Sequence, residues 1–144
     1  MRAMMILALM VGFALAVAPV LAAEPSATIS IEVKAVEVGL GASWGQGVVT
    51  YGPRTYAFKV RGLKVLGVGI TKLDAQGSVY NLKAIDYLEG TYRKAQMAEV
   101  TFIKKEDMGL VVKNEKGVVL NLKAVQKGLE LDLVSEGLTV LKLK

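Results

Sequence analysis

The chain has no histidine and no cysteine. Without histidine it lacks the side chain that most often serves as general base near neutral pH, and the commonest metal ligand. Without cysteine there is no thiol nucleophile, no thiolate site for zinc or an iron–sulfur cluster, and no disulfide. Proline is scarce, at 3 residues, and glycine stands at 15 of 144, proportions that exclude collagen-like and linker-like chains. There is a single tryptophan. What is present is a hydrophobic fraction of 53%, too high for disorder, in a length that accommodates one domain.

Residues 1–23 read as a secretory signal peptide. Arg2 and the free amine form a short positive start, and Ile6 to Ala18 is an uncharged apolar run of 13 residues. That run is shorter than the ~20 residues a membrane-spanning helix needs. Pro19 interrupts it, and Val20-Leu21-Ala22 sets up cleavage after Ala22 or Ala23. The competing reading is an uncleaved N-terminal anchor. No later stretch approaches the spanning length, so a soluble periplasmic domain over residues 24–144 is the expectation. Removing Arg2 leaves 17 basic against 13 acidic residues, a net charge of +4.

Beyond the exit segment Glu24-Pro25-Ser26 the hydrophobic period is two, the signature of half-buried strands. Ile29, Ile31 and Val33 alternate with polar residues, and the phase then switches at Ala35-Val36 towards Val36 and Val38, as at a bulge. Val49 and Tyr51 lead through Gly52-Pro53-Arg54 into Tyr56, Phe58 and Val60, which predicts a hairpin. Asp74-Ala75-Gln76-Gly77 and Asn114-Glu115-Lys116-Gly117 read as further hairpin turns, and Ser135-Glu136-Gly137 as a turn into Leu138. Residues 92–98 are the one stretch open to a short helix or an irregular loop. Turn signals every 8 to 12 residues predict an all-β fold. The expected form is a small antiparallel barrel or sandwich of eight to ten strands, mostly in sequential hairpins. Glycines before Leu63, Leu110, Leu129 and Leu138 favour a strongly bent or closed sheet. The inward set is expected to be Ile31, Val49, Phe58, Val60, Val65, Ile70, Leu82, Phe102, Val119, Leu122, Leu131, Leu133 and Val140.

One internal similarity stands out. Residues 77–84 and 117–124 agree at six of eight positions, at an offset of 40. Two strands with the same job in one sheet account for it. A duplicated site would rest on Asn81 and Asn121, whose amides serve a bulged backbone just as well.

Chemistry is thinly represented. None of the serines Ser26, Ser30, Ser43, Ser78 and Ser135 sits in a nucleophile elbow, and none has a lysine three residues on to act as its base. Asp74, Asp86, Glu89, Glu106 and Asp107 are the carboxylates a glycosidase would have to draw on, and spacing does not pair them. No calcium-loop pattern is present, so neither metal nor cofactor is expected, and the chain reads as a non-enzyme. The lysines are spread over polar faces and turns. On an exported chain they would meet anionic lipid, lipopolysaccharide or wall polymer rather than nucleic acid.

The most unusual stretch is Gly39 to Gly47, which holds the only tryptophan. It lacks the lysine-serine or lysine-threonine ending of a phosphate-binding loop. Trp44 is either a plug for one end of the core or an apolar platform beside a backbone that a ligand can approach. On the second reading Tyr51 and Tyr56 add amphipathic contacts across the hairpin, and Arg54 at the turn attracts an anionic headgroup. Trp44, Tyr51, Arg54 and Tyr56 are thus the candidate ligand-binding set.

The run from Trp44 to Tyr51, with Tyr56 to Val60, Val79 to Leu82, Asp86 to Tyr92 and Asn114 to Val119, resembles small exported proteins of Gram-negative bacteria that carry no assigned activity. In its glycine spacing and extended Tyr/Phe pattern it is also similar, distantly, to the β-barrel half of SYLF-type and envelope-integrity proteins. That likeness implies lipid binding. The chain departs from it in being shorter than a whole SYLF domain and in lacking the repeated glycine-rich lipid loops, and no catalytic residue carries over. The functional expectation is a non-enzymatic envelope protein binding lipid headgroups or an anionic polymer. The alternative is a structural or protein-interaction module that pairs, with itself or a partner, through a sheet edge.

Overall fold

The computed structural model describes residues 24–34, 44–66 and 72–142. The expected signal peptide at residues 1–23, the phase switch at residues 35–38, most of the glycine-rich stretch, and Ile70 lie outside the described residues.

Ten strands follow in chain order: β1 (Ala27–Lys34), β2 (Trp44–Tyr51), β3 (Arg54–Arg61), β4 (Leu63–Leu66), β5 (Lys72–Tyr80), β6 (Gly90–Lys94), β7 (Leu110–Lys113), β8 (Val119–Ala124), β9 (Glu130–Leu133) and β10 (Leu138–Lys142). Eight of them close an antiparallel barrel in the order β1-β2-β3-β10-β6-β7-β8-β5, and β4 and β9 form a separate two-stranded ribbon. The fold is all-β, and of the barrel or sandwich expected from sequence it is the barrel. Sequential hairpins build β1-β2-β3 and β6-β7-β8. The later strands β5 and β10 join these two blocks on either side.

The alternation decides which face goes inside, because successive strand residues point to opposite faces. Ile29, Ile31 and Val33 of β1, Val49 of β2, Phe58 and Val60 of β3, and Leu73, Ala75 and Val79 of β5 are buried. Val112 of β7, Leu120 and Leu122 of β8, and Leu138 and Val140 of β10 complete the ring. These side chains fill the barrel, as a small barrel requires. Each fully buried aliphatic or aromatic side chain contributes about 1.5–3 kcal/mol of transfer free energy. The β2–β3 turn is the two-residue loop Gly52-Pro53, with Gly52 at φ 62. Tight hairpins favour such a conformation because it matches the twist of the strands.

Both barrel ends are stoppered. At the end holding the β2–β3 turn, the segment after β5 folds over the opening, with Leu82 and Leu88 buried and Ile85 packed on the core. It is tied down there, because the Leu82 N–H donates to Ser26 Oγ at 3.2 Å and the Tyr51 hydroxyl donates to the Leu82 carbonyl at 3.0 Å. At the other end, the ribbon β4–β9 lays Leu63, Leu131 and Leu133 on the core.

The segment between β6 and β7 does not enter the barrel. Ala95, Val100, Phe102, Ile103 and Met108 pack on the outside of the wall, against Tyr80, Val111 and Val119. This small second core is centred on the Tyr80 and Phe102 rings, whose centroids are 5.1 Å apart. Phe102 and Val119, expected inside, belong to this outer cluster. Leu131 and Leu133 are only half-buried, as fits a stopper. The open stretch at 92–98 resolves into the end of β6 and a 3-10 turn at Met97–Glu99.

Asp74–Gly77 is not a hairpin turn. It lies in the middle of β5, which pairs with β1 on one side and β8 on the other. Ladder bonds on both edges and the buried Leu73, Ala75 and Val79 outweigh the turn preference of an Asp…Gly stretch. The two halves of the internal repeat are neighbours in the sheet. Gly77 faces Leu122, Ser78 faces Asn121, Val79 faces Leu120 and Tyr80 faces Val119, so a local two-fold axis relates the copies.

Tyr92 gives a pH-dependent prediction. It is wholly buried, its hydroxyl donating to the Leu88 carbonyl at 2.5 Å. Burial pushes the phenol far above its ordinary value of 10.0, while the Asn114 side chain pulls weakly the other way. A pKa raised on folding stabilises the protein below the unfolded value and ceases to do so as pH rises past it. Stability is expected to fall between about pH 10 and pH 12, by up to about 1.4 kcal/mol per pH unit from this group. Urea midpoints across that range should fall less steeply for Tyr92→Phe than for wild type.

Candidate functional site: the uncovered wall

Closure of the barrel divides its outer surface into two parts. The wall of β5, β8 and β7 carries the 95–109 segment. The wall of β10, β3, β2 and β1 carries no such cover among the described residues, and its outward side chains meet solvent. Candidate recognition residues are those on this bare wall.

Trp44 opens β2, on the outward phase with Gln46, Val48 and Thr50. It is 39% exposed, which removes the core-plug reading. Arg61 lies directly across from it on β3, with its guanidinium carbon 5.3 Å from the ring centroid. The Lys59 ammonium sits 4.3 Å from the same centroid. Such contacts over an exposed indole contribute about 0.5–1 kcal/mol each and hold ring and cations together. Leu141 of β10 faces Lys59 from the other side and is 42% exposed, while Val48 is 46% exposed further along β2. An aromatic ring, two cations and two aliphatic side chains therefore share one face of a rigid sheet.

The other three residues of the sequence-derived set are not with Trp44. Tyr51 and Arg54 face each other at the turn, seven residues along β2, or about 23 Å away at the usual strand rise. Tyr51 and Tyr56 turn their rings to the interior side and pack on the core, and the Tyr51 hydroxyl is committed to Leu82. Arg54 is exposed beside them. The hairpin was legible in the sequence, but its direction puts the tryptophan and the turn at opposite ends. Lys59 and Arg61 are the residues that sequence reasoning left out. The signal was available, since both sit on the polar phase of β3 and the hairpin register places Arg61 opposite Trp44.

Comparison of the chain with protein-family models, with curated proteins and with solved structures finds no match. The functional reading therefore rests on the wall itself.

Among the described residues, four carboxylates stand in surface ion pairs, and of the five a glycosidase would draw on only Asp86 is among them. Lys72 meets Glu32 at 3.4 Å, Lys94 meets Asp132 at 2.7 Å, Lys113 meets Glu99 at 2.8 Å and Lys142 meets Asp86 at 3.4 Å. The hydrogen bond from Lys94, and then that from the Leu133 backbone, hold the Asp132 carboxyl below its ordinary range. Lys113 does the same for Glu99, helped by the Gln96 backbone. Lys59 and Arg61 enter no ion pair within 4.0 Å among the described residues, although Arg61 adds, after the Ser135 hydrogen bond, to what holds the Glu136 carboxyl below its ordinary range.

Proposed function

We propose that the chain is an exported, non-enzymatic envelope protein whose uncovered wall binds a phosphate-bearing anionic surface, as lipid headgroups or lipopolysaccharide present. The observation that carries this reading is the only tryptophan of the chain, exposed and flanked by two cations that enter no ion pair within 4.0 Å among the described residues. An indole with an apolar body and a polar edge suits the boundary between headgroup and water. Lys59 and Arg61 supply the attraction, and Leu141 and Val48 add apolar contact around them. The leader-like N-terminus supports a periplasmic setting. Among the described residues, the sheet-edge alternative is confined to the ribbon β4–β9, whose two four-residue strands are each paired on one side only, since every barrel strand has a partner on both sides.

Co-sedimentation of the mature chain with vesicles tests the reading. Three surfaces separate the sources: neutral phosphatidylcholine, phosphatidylcholine with phosphatidylglycerol, and lipopolysaccharide. Binding is expected to the anionic surfaces and to weaken with salt. Removing both cations in Lys59→Gln/Arg61→Gln is expected to weaken it about thirty-fold, at about 1 kcal/mol for each basic residue near such a surface. Trp44→Ala should weaken binding while lowering the unfolding free energy by no more than the two cation contacts it removes, about 1–2 kcal/mol, because the ring is outside the core. Arg54→Ala, a cation removed from the far end, should bind as wild type. Failure of wild type to bind either anionic surface, or equal binding by the folded double variant, would end the proposal.

A further inference from the structure

A second feature lies where the bare wall meets the covered one, across β2, β1, β5 and β8, and is not explained by an anionic surface. The outward side chains of the first half of β1 and of the middle of β5 are polar and uncharged, namely Thr28 and Ser30 on β1 and Gln76 and Ser78 on β5. Longer or apolar side chains rise on both sides, Val48 from β2 and Lys123 and Val125 from β8 and the residue after it. The difference in side-chain size leaves a groove of about 690 Å³ whose floor is two strands wide.

The groove is chemically uniform. Thr28 faces Thr50 on one neighbour and Ser78 on the other, so three hydroxyls follow one another across the sheet at the strand spacing of about 4.8 Å. Ser30 faces Gln76 in the next row, and Gln76 faces Lys123. None of these six polar side chains makes a hydrogen bond or ion pair with another described residue. The hydroxyls and the amide each both donate and accept, whereas Lys123 only donates and carries the one formal charge. Val125 is 52% exposed and Val48 46%, so each bank also presents an apolar surface to water.

We infer that this groove binds a sugar chain bearing carboxylates. A sugar ring offers hydroxyls that both donate and accept, which the floor can match pair for pair. Its C–H faces suit the two valine banks, and Lys123 is complementary to a single carboxylate. The alternatives fit less well. A phosphate-rich polymer would call for several cations, and the groove has one. An extended peptide binds by adding to a sheet edge, and the strands under this groove are paired on both sides. The groove shares Val48 with the indole's face but none of its polar residues, and Trp44 stands at the far end of β2.

Isothermal titration of the full mature chain with soluble polygalacturonate oligomers, and with dextran as the uncharged comparison, tests the inference. Polygalacturonate should bind and dextran should bind more weakly. Ser30→Leu puts a large side chain on the floor without touching the core, and should reduce affinity at least about ten-fold with the thermal midpoint unchanged. Lys123→Gln should reduce the preference for the acidic polymer about five-fold, the effect of one exposed charge pair. Trp44→Ala should bind the oligomers as wild type does, so this result stands or falls apart from vesicle binding. Absence of wild-type binding to either polymer, or undiminished binding by folded Ser30→Leu, overturns the site. An unchanged preference in Lys123→Gln overturns the acidic assignment.

Discussion

Gly62→Ala is expected to lower the free energy of unfolding by about 3–5 kcal/mol, whereas Gly117→Ala should lower it by about 1 kcal/mol. The two glycines have similar backbones, at φ 102 and φ 88. Their surroundings differ. Gly117 is in the β7–β8 turn and a methyl group there would meet nothing within 4 Å, so its alanine bears only the cost of a left-handed backbone. Gly62 joins β3 to β4, where the chain leaves the barrel for the ribbon. Its carbonyl accepts the Val134 N–H at 2.9 Å, and an added Cβ would collide with the carbonyl of Gly137, where the chain returns. Backbone, not a flexible side-chain tip, is in the way, so the outgoing and returning chains would have to separate. Urea denaturation of both variants checks the contrast. Equal midpoints would mean that the corner does not constrain the barrel.

The repeated asparagines give the second large contrast. Asn121→Leu should cost about 2–4 kcal/mol, and Asn81→Gly less than about 1 kcal/mol. Asn121 is buried on the outward side of β8, where its Oδ1 accepts the Gly109 N–H at 2.7 Å and its Nδ2 donates to the Asp107 carbonyl at 2.8 Å. It fastens the end of the outer segment to the barrel wall. Leucine would leave the Gly109 N–H and the Asp107 carbonyl, both only part-buried, without their partner, at the lower end of about 1–3 kcal/mol each. Asn81 is exposed at the end of β5, at φ 62, with one long 3.4 Å contact from its Nδ2 to the Gly117 carbonyl. Glycine suits that backbone and forfeits little. Thermal unfolding followed by circular dichroism separates the pair, and comparable losses would show that both asparagines clamp.

Identical residues in the two copies thus do different work. The repeat was visible in the sequence as a shared strand, and the structure makes the copies antiparallel neighbours. What could not be read was the covering of one copy by residues 105–109, because that is a tertiary event with no local pattern. The same division applies more widely. The period of two placed Ile31, Val49, Phe58, Val60, Leu122 and Val140 on the inside, since burying one face of a strand fixes the phase of all its residues. It could not tell the inside of the barrel from the inside of the outer cluster, and so Phe102 and Val119 were assigned to the wrong core. It also took Asp74–Gly77 for a turn, because turn chemistry is local while the pairing of β5 with β1 and β8 is not. At the candidate site, composition singled out Trp44 and the turn signal gave the hairpin. Lys59 and Arg61 emerged only when strand register put them beside the indole.

The strand order has a kinetic consequence. β10, last of the strands in chain order, is the one that joins β3 to β6, and β5 pairs with β1 across about forty residues of sequence. Until β10 has been made, β3 and β6 each keep an open edge, and no shorter nascent chain can form the closed barrel. The hairpin blocks can assemble early, but the long-range pairings that lock them come late and at a high entropic cost. A chain of this topology can build its hairpins one by one during synthesis, yet the seam between the β1-β2-β3 block and the β6-β7-β8 block closes only with its last described strand.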